Sequence, residues 1–305
     1  MIGAGRLGAS LALALCDHGL TLTGFTAGST EGRARAESWL GSPATLRLDA
    51  LVALRPDIYL ICVPDGAVAD VAAELGAALA AARAAAAPAP VVAHTSGATS
   101  VSVLAPCEKA GAATLVFHPL QTFPDPRAGA RRFAGAGVAI TPGAVRADQA
   151  GTTGLRIADL LGMRSFFLAD DKRSVYHAAA TVACNYLVTL EYVANKLFVD
   201  AGVPERVTYE LFLPLVRATL DNLAARGPVD ALTGPLSRGD EATIAAHLEA
   251  LSEDSPDTLP LYRALGRQTL ELVAARGEVD ARVIAGMNEL LTESRQGRNP
   301  DVSHA

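Results

Sequence analysis

An α/β domain with a mostly parallel sheet, followed by an all-α domain, is the architecture this sequence predicts. Three observations carry it. Short apolar runs alternate with helical stretches over the first two-thirds of the 305 residues, and a glycine-rich string opens the chain. From about Asp170 the strand-like runs stop and long helical periods begin. The expected limits are residues 1–169 for the α/β domain, 170–292 for the helical domain, and a polar, frayed tail at 293–305.

Composition supports two packed cores. Half the residues are hydrophobic and 19% are charged, while aromatics make up only 5%, so Ala, Leu and Val must fill most of the interior. The net charge is −6 and no basic block stands out, which argues against a nucleic-acid partner. Cys16, Cys62, Cys107 and Cys184 are scattered, with no Cys-x-x-Cys pair, so neither a disulfide framework nor a thiolate zinc site is expected. A reducing, cytoplasmic location follows. Glycines interrupt the start at once, unlike a signal peptide, and the Ala-rich run Val71–Ala87 holds Glu74 and Arg83, so no membrane span is expected.

Candidate strands are Leu20–Phe25, Ile58–Val63, Val91–Thr95, Thr114–Phe117, Val138–Thr141 and Phe166–Leu168. Candidate helices are Gly8–Cys16, Ala67–Ala87, Ser100–Ala110 and Ala144–Leu161. Continuous apolar strands alternating with helices indicate a parallel sheet covered on both faces. In the second domain the helical periods are Lys172–Ala201, Glu205–Arg226, Asp240–Glu253, Pro260–Arg276 and Asp280–Leu291, punctuated by Gly202-Val203-Pro204 and Gly227-Pro228.

Gly3-Ala4-Gly5-Arg6-Leu7-Gly8 matches G-x-G-x-x-G. In a dinucleotide-binding Rossmann fold the first glycine permits a tight turn, the second lets a pyrophosphate reach the backbone, and the third lets the helix pack on the strand. The phosphates then meet free N–H groups at a helix N-terminus, here Arg6, Leu7 and Gly8. Only Met1 and Ile2 precede the string, whereas a strand has ~5–6 residues, so residues preceding Met1 are expected. After the second apolar run, Ser29, Thr30 and Arg33 stand where NAD enzymes place a carboxylate, and Glu31 is the first acid. Hydroxyls with arginines suit a 2′-phosphate, so NADP is expected, with NAD as the alternative; the bland reading is a capped helix start.

Ligands in open α/β sheets lie beyond the carboxyl ends of the strands. Three such ends are polar: Val63-Pro64-Asp65, His94-Thr95-Ser96-Gly97, and His118 to Phe123. Val63 and Pro64 are expected on the cofactor, with Gly97 also binding it, and His94, Ser96, His118, Gln121 and Thr122 facing its nicotinamide and the substrate. The ordinary reading is a turn with histidines bonded to nearby backbone. No third ligand at helical spacing accompanies the histidines, so no metal is expected. The segment Val175–Val193 is apolar on most faces and is expected to be buried, with His177, Thr181 and Asn185 as a polar stripe. Arg238, in Leu232–Asp240, is a candidate anchor for an anionic group, and Asp240 a candidate N-cap.

On Gly3–Gly8, His94–Gly97, His118–Phe123, Tyr176–Ala180 with Asn185, and Leu232–Asp240, the chain resembles the Rossmann-like and DUF2520 proteins over almost its whole length. That family is similar in architecture to pyrroline-5-carboxylate reductase and the 6-phosphogluconate dehydrogenase group, which pair a Rossmann domain with a helical domain that commonly dimerises. The resemblance implies a 6-phosphogluconate dehydrogenase-like C-terminal domain, a homodimer through it, and an NAD(P)-dependent oxidoreductase acting on a small molecule. It supplies no substrate. The chain departs from those relatives in lacking a clear catalytic lysine on the interdomain helix; Lys172 precedes the stripe.

The expected reaction is hydride transfer between NADPH and a C=O or C=N carbon of a small carboxylate-bearing substrate. His118 or His177 would supply the proton, Thr181 and Asn185 would orient the substrate, and Arg238 would hold its carboxylate. The alternatives are a non-catalytic NADP(H) sensor that presents its helical domain to a partner, and a non-redox enzyme that keeps the nucleotide site.

Overall fold

The structure, a computed structural model, describes residues 1–41, 47–82 and 88–292. The end of the helix expected to reach Ala87, and the tail from residue 293, lie outside the described residues. The chain divides into two compact units, Met1–Cys184 and Asn185–Ala305.

The first unit is a Rossmann-like α/β layer structure. Its helices and strands follow in the order α1 (Arg6–Asp17), α2 (Thr30–Leu40), α3 (Leu48–Ala53), β1 (Ile58–Ile61), α4 (Val68–Ala82), β2 (Val91–His94), α5 (Ala105–Lys109), β3 (Ala113–Leu120), α6 (Pro126–Ala130), β4 (Gly137–Pro142), α7 (Ala147–Leu160) and β5 (Arg164–Phe167). The five strands lie in the order β1-β2-β3-β4-β5. The pairs β1–β2, β2–β3 and β4–β5 are parallel, while β3–β4 is antiparallel. Alternate side chains face opposite ways along a strand. Leu60, Ala93, Leu115 and Ile140 therefore join one core with Leu11, Phe25 and Ile157. Tyr59, Ile61 and Val92 join another with Leu51, Leu75 and Leu104. The sheet is thus buried on both faces from β1 to β3, while β5 at its edge is mostly exposed.

Two readings need correction. The run Leu20–Phe25 is not a strand; only Thr26, just beyond it, forms a bridge. Its inner neighbour contributes Ile2 alone, which bridges Thr26 on one side and Ile61 on the other, so there is no ladder for a longer strand to join. The run Thr114–Phe117 is the middle of a longer strand, so His118 and Pro119 belong to β3, paired with Ala139 and Val138, rather than to a loop after it. The proline fits because β2 pairs with β3 only as far as Val116, leaving one strand edge free of the ladder beyond that point. Ser100–Ala110 splits into a 3₁₀ turn, Val101–Leu104, and α5.

Glycines set the closest approaches. A Cβ on Gly8 would overlap Gly3 O, and one on Gly129 would overlap Ser10 Oγ. These contacts seat α1 against the glycine turn and α6 against α1.

The helix α8 (Arg173–Asp200) begins in the first unit and ends in the second, which continues with α9 (Glu205–Ala231), α10 (Glu241–Asp254), α11 (Leu259–Arg276) and α12 (Ala281–Thr292). Backbone at Gly227 leaves the helical region inside α9 (φ 76°, ψ 171°), where Gly227-Pro228 predicts a break. Asp240 caps α10 by accepting from Thr243 N at 3.0 Å. Ile244, Leu248, Leu270, Met287 and Leu291 form the core of this unit.

The expectation that Val175–Val193 is buried is not met. Val188 is 67% and Tyr192 64% exposed on α8, and Leu211 and Leu215 are similarly exposed on α9. The apolar composition is real, but among the described residues of this chain nothing covers those side chains. No helix among the described residues is long and apolar enough to cross a membrane.

Candidate functional site

The glycine string forms the tight turn between Ile2 and α1. Gly3 has φ +88°, and a Cβ there would lie 2.7 Å from Cys62 O and 2.8 Å from Val63 Cγ1. Gly5 is the N-cap of α1 and offers no side-chain cap. A Cβ on Gly5 would meet nothing within 4 Å, so this glycine is not needed for packing and leaves open space over the first amides of the helix. The first turn of α1 carries no acidic residue. The N–H groups of Arg6, Leu7 and Gly8 thus present uncompensated donors and the positive end of the helix dipole. Beside them lies a recess of about 560 Å³ lined by Arg6, Leu7, Thr122, Phe123, Pro124 and Arg132. Arg132 donates from Nη1 to Thr122 O (3.3 Å) and Oγ1 (3.2 Å), which leaves other guanidinium N–H groups for a ligand. These features fit a dinucleotide pyrophosphate.

At the second expected subsite, Ser29 accepts from Gly32 N at 3.0 Å and caps α2, which Thr30 begins. This is the capped helix start of the bland reading. Arg33 Nε is nevertheless buried without a hydrogen bond, a donor suited to an anion. Glu31 stands in the same first turn. Val63 lies against the glycine turn, and Pro64 caps the 3₁₀ turn Asp65–Ala67.

The loop after β2 is tied down tightly. His94 is fully buried; its Nδ1 accepts from Ser96 N (3.2 Å), and its Nε2 lies 3.3 Å from Ser100 O. Both ring nitrogens are thus engaged with backbone. Ser96 Oγ donates to Thr99 Oγ1 (2.7 Å) and accepts from Thr99 N (3.0 Å), closing the turn. The residue that fixes this loop is Arg173, only 1% exposed. Its guanidinium donates to Ser96 O (2.6 Å), Gly97 O (2.9 Å), Thr99 O (2.8 Å) and Thr141 Oγ1 (3.1 Å). Asp170 adds bonds from Ser100 Oγ and, at 2.9 Å, Val101 N.

Three rings gather over the loop. His118 Nδ1 lies 2.8 Å from Tyr176 Oη, and the His118 and His177 ring centroids are 6.1 Å apart. A Cβ on Gly97 would overlap His177 Cδ2 and lie 2.9 Å from His118 Nε2, so only glycine lets the imidazoles come this close. Burial, reinforced by Arg173 and His177, pushes His118 down to about 4, and burial does the same to His94. His118 is therefore neutral at pH 7, not the imidazolium an ordinary pKa would partly allow. Thr181 Oγ1 turns back to His177 O at 3.0 Å. Asn185 and Arg238 belong to the second unit. Asn185 is exposed, and Arg238 ends the 3₁₀ turn Leu236–Arg238, two residues before Asp240.

The sequence assigns no site role to Arg173, Asp170, Tyr176 or Arg132. Tyr176 adjoins His177, and that adjacency was a usable signal; the two arginines look like ordinary surface charges by position. Among the described residues no group of three or more His, Cys, Asp or Glu is placed to hold a metal.

Comparison with known proteins follows the same division. Residues 1–119 match the model of a Rossmann-like domain. Residues 141–269 match a domain of unknown function, DUF2520. The chain thus matches a Rossmann-like domain followed by a DUF2520 domain. Among solved structures it is similar to a candidate NADP oxidoreductase of Bacteroides fragilis, with TM-score 0.66, 24% identity, and coverage of 88% of this chain and 95% of that one. It is also similar to a 1-pyrroline-5-carboxylate reductase of Streptococcus pyogenes (TM-score 0.60, 16% identity, 94% and 96% covered). A pyrroline carboxylate reductase of Plasmodium falciparum, with NADP bound, gives TM-score 0.56 at 11% identity over 95% and 97%. At these identities the likeness establishes the fold. Among curated proteins none matches.

Proposed function

We propose that this protein is a nicotinamide-dependent oxidoreductase that prefers NADP and acts on a C=O or C=N carbon of a small carboxylate-bearing substrate. The observation that carries the reading is the open N-terminus of α1 at Gly5, in the same unit as the neutral His118–Tyr176 pair. Gly3, Gly5, Gly8 and the amides of Arg6 and Leu7 would hold the pyrophosphate, and Arg33 with Ser29 and Thr30 a 2′-phosphate. A bound nicotinamide dinucleotide supplies or takes up the hydride. When Tyr176 donates to Nδ1, His118 carries its proton on Nε2 and polarises the substrate oxygen or nitrogen as a neutral donor. His177 is the second imidazole available to move a proton. Thr181, in the same unit, would orient the substrate. The NADP-bound reductase of similar fold supports the cofactor class.

Calorimetric titration with NADPH and NADH, followed by NADPH fluorescence with a panel of 2-keto acids and cyclic imines, tests this reading. Tighter NADPH binding and oxidation by at least one substrate class are expected. No uptake of either coenzyme overturns the proposal, and uptake without turnover across the panel favours the sensor.

We further propose that a second copy of the chain covers the exposed apolar faces of α8 and α9, giving a homodimer.

A further inference from the structure

A second concavity lies away from the glycine turn. It opens at the other edge of the sheet, where β1 and β2 begin, and has a volume of about 1060 Å³. Small-molecule pockets span ~300–1,000 Å³. Apolar side chains including Val52, Leu79 and Ile157 line it, together with Arg55, Arg146 and Arg156. Among the described residues Asp57 is the one carboxylate in the lining. Among the described residues none of the three guanidiniums makes a hydrogen bond or ion pair. Three cations against one anion, on an apolar wall, favour a ligand that is charged at one end only.

Two further observations point the same way. Tyr59 also lines the cavity and is only 2% exposed, yet its hydroxyl has no hydrogen-bond partner among the described residues. That hydroxyl is not among the buried atoms, so it is accessible from the cavity and free to donate to a ligand acceptor. Arg55 (φ 48°) and Arg146 (φ 54°) are also the only non-glycine residues with positive φ among those described. Both line this one cavity, and such conformations concentrate at ligand sites.

We propose that this cavity is a second ligand site, separate from the glycine turn, for a small molecule with an anionic head on an apolar body. The inference does not rest on the redox reading. Carboxylate and phosphate heads share the chemistry that arginines recognise.

Calorimetric titration of the full chain with octanoate and octyl phosphate distinguishes the two heads, with octanol and acetate as the uncharged and bodiless controls. One-site binding of at least one anion is expected, with octanol and acetate each at least about tenfold weaker. Arg146→Asn with Arg156→Gln should weaken the anion about tenfold or more, since asparagine tolerates the left-handed backbone at 146. Tyr59→Phe should weaken it several-fold, and NADPH uptake should stay unchanged in both variants. Failure of both anions to bind, octanol binding as tightly as the anions, or unchanged anion binding in the folded arginine variant overturns the proposal. If Tyr59→Phe does not fold, the arginine variant alone decides.

Discussion

Burial holds His118 and His94 down to about 4, well under the ordinary imidazole value. A ring that stays neutral in the fold but is protonated when the chain unfolds links stability to pH. Between about 4 and 6.5 the unfolded state binds more protons, so stability present above pH 6.5 is lost as pH falls toward 4. For the fully buried His94 that gap corresponds to on the order of 3 kcal/mol. Denaturant midpoints measured from pH 7.5 to 4.5 should fall steeply below 6.5, and His94→Asn should flatten the slope. At His118 the neutral ring implies a donor role, so His118→Ala should cut turnover ~10²–10⁴-fold. Tyr176→Phe removes only the partner of Nδ1 and should lower kcat more than it raises KM, with NADPH affinity retained. Steady-state kinetics with the substrate found by the panel check both, and unchanged kcat in Tyr176→Phe would remove the pairing from the mechanism.

Between elements, Arg173 joins the start of α8 to the loop after β2 through three hydrogen bonds and to Thr141 of β4 through a fourth. Replacing it with methionine strands the carbonyls of Ser96, Gly97 and Thr99 without their donor. Arg173→Met should cost about 2–4 kcal/mol, and hydrogen exchange at residues 95–101 should quicken more than elsewhere. Equal exchange throughout would show that the loop holds itself. This contact was invisible in the sequence, because arginine normally keeps its head in water and nothing in the spacing marks position 173 as buried. The glycine string was legible because each of its three positions answers a separate steric demand, seen at Gly3, Gly5 and Gly8. The strands β1, β2 and β4 were legible from apolar runs. The strand β3 was read short because Pro119 normally excludes a ladder position, and Leu20–Phe25 was read as a strand because composition does not report that its neighbour is a single bridging residue.

For the molecule as a whole, the apolar character of Val175–Val193 was legible, but what it packs against was not: sequence composition cannot say whether a cover comes from the same chain. Val188, Tyr192 and Leu215 are each more than 60% exposed, and desolvating such side chains gives each ~1.5–3 kcal/mol. Light scattering on the eluting protein should report twice the 31.4 kDa chain mass. A charge on that surface, Val188→Glu with Leu215→Glu, should shift it to the monomer while the circular dichroism stays helical. A wild-type monomer at micromolar concentration would remove the homodimer.

One reversal in the chain has a wider effect. Because β4 runs against β3, its end at Pro142 pairs with Leu115, and Gly143 N then bonds Thr114 O. The next residues, Arg146 among them, are delivered to the rim where β1 and β2 start. Had β4 kept the direction of its neighbour, that arginine would have been carried toward the imidazoles. A single change of strand direction thus gives one sheet two chemically distinct mouths, so either can be altered by mutation while the other keeps its shape.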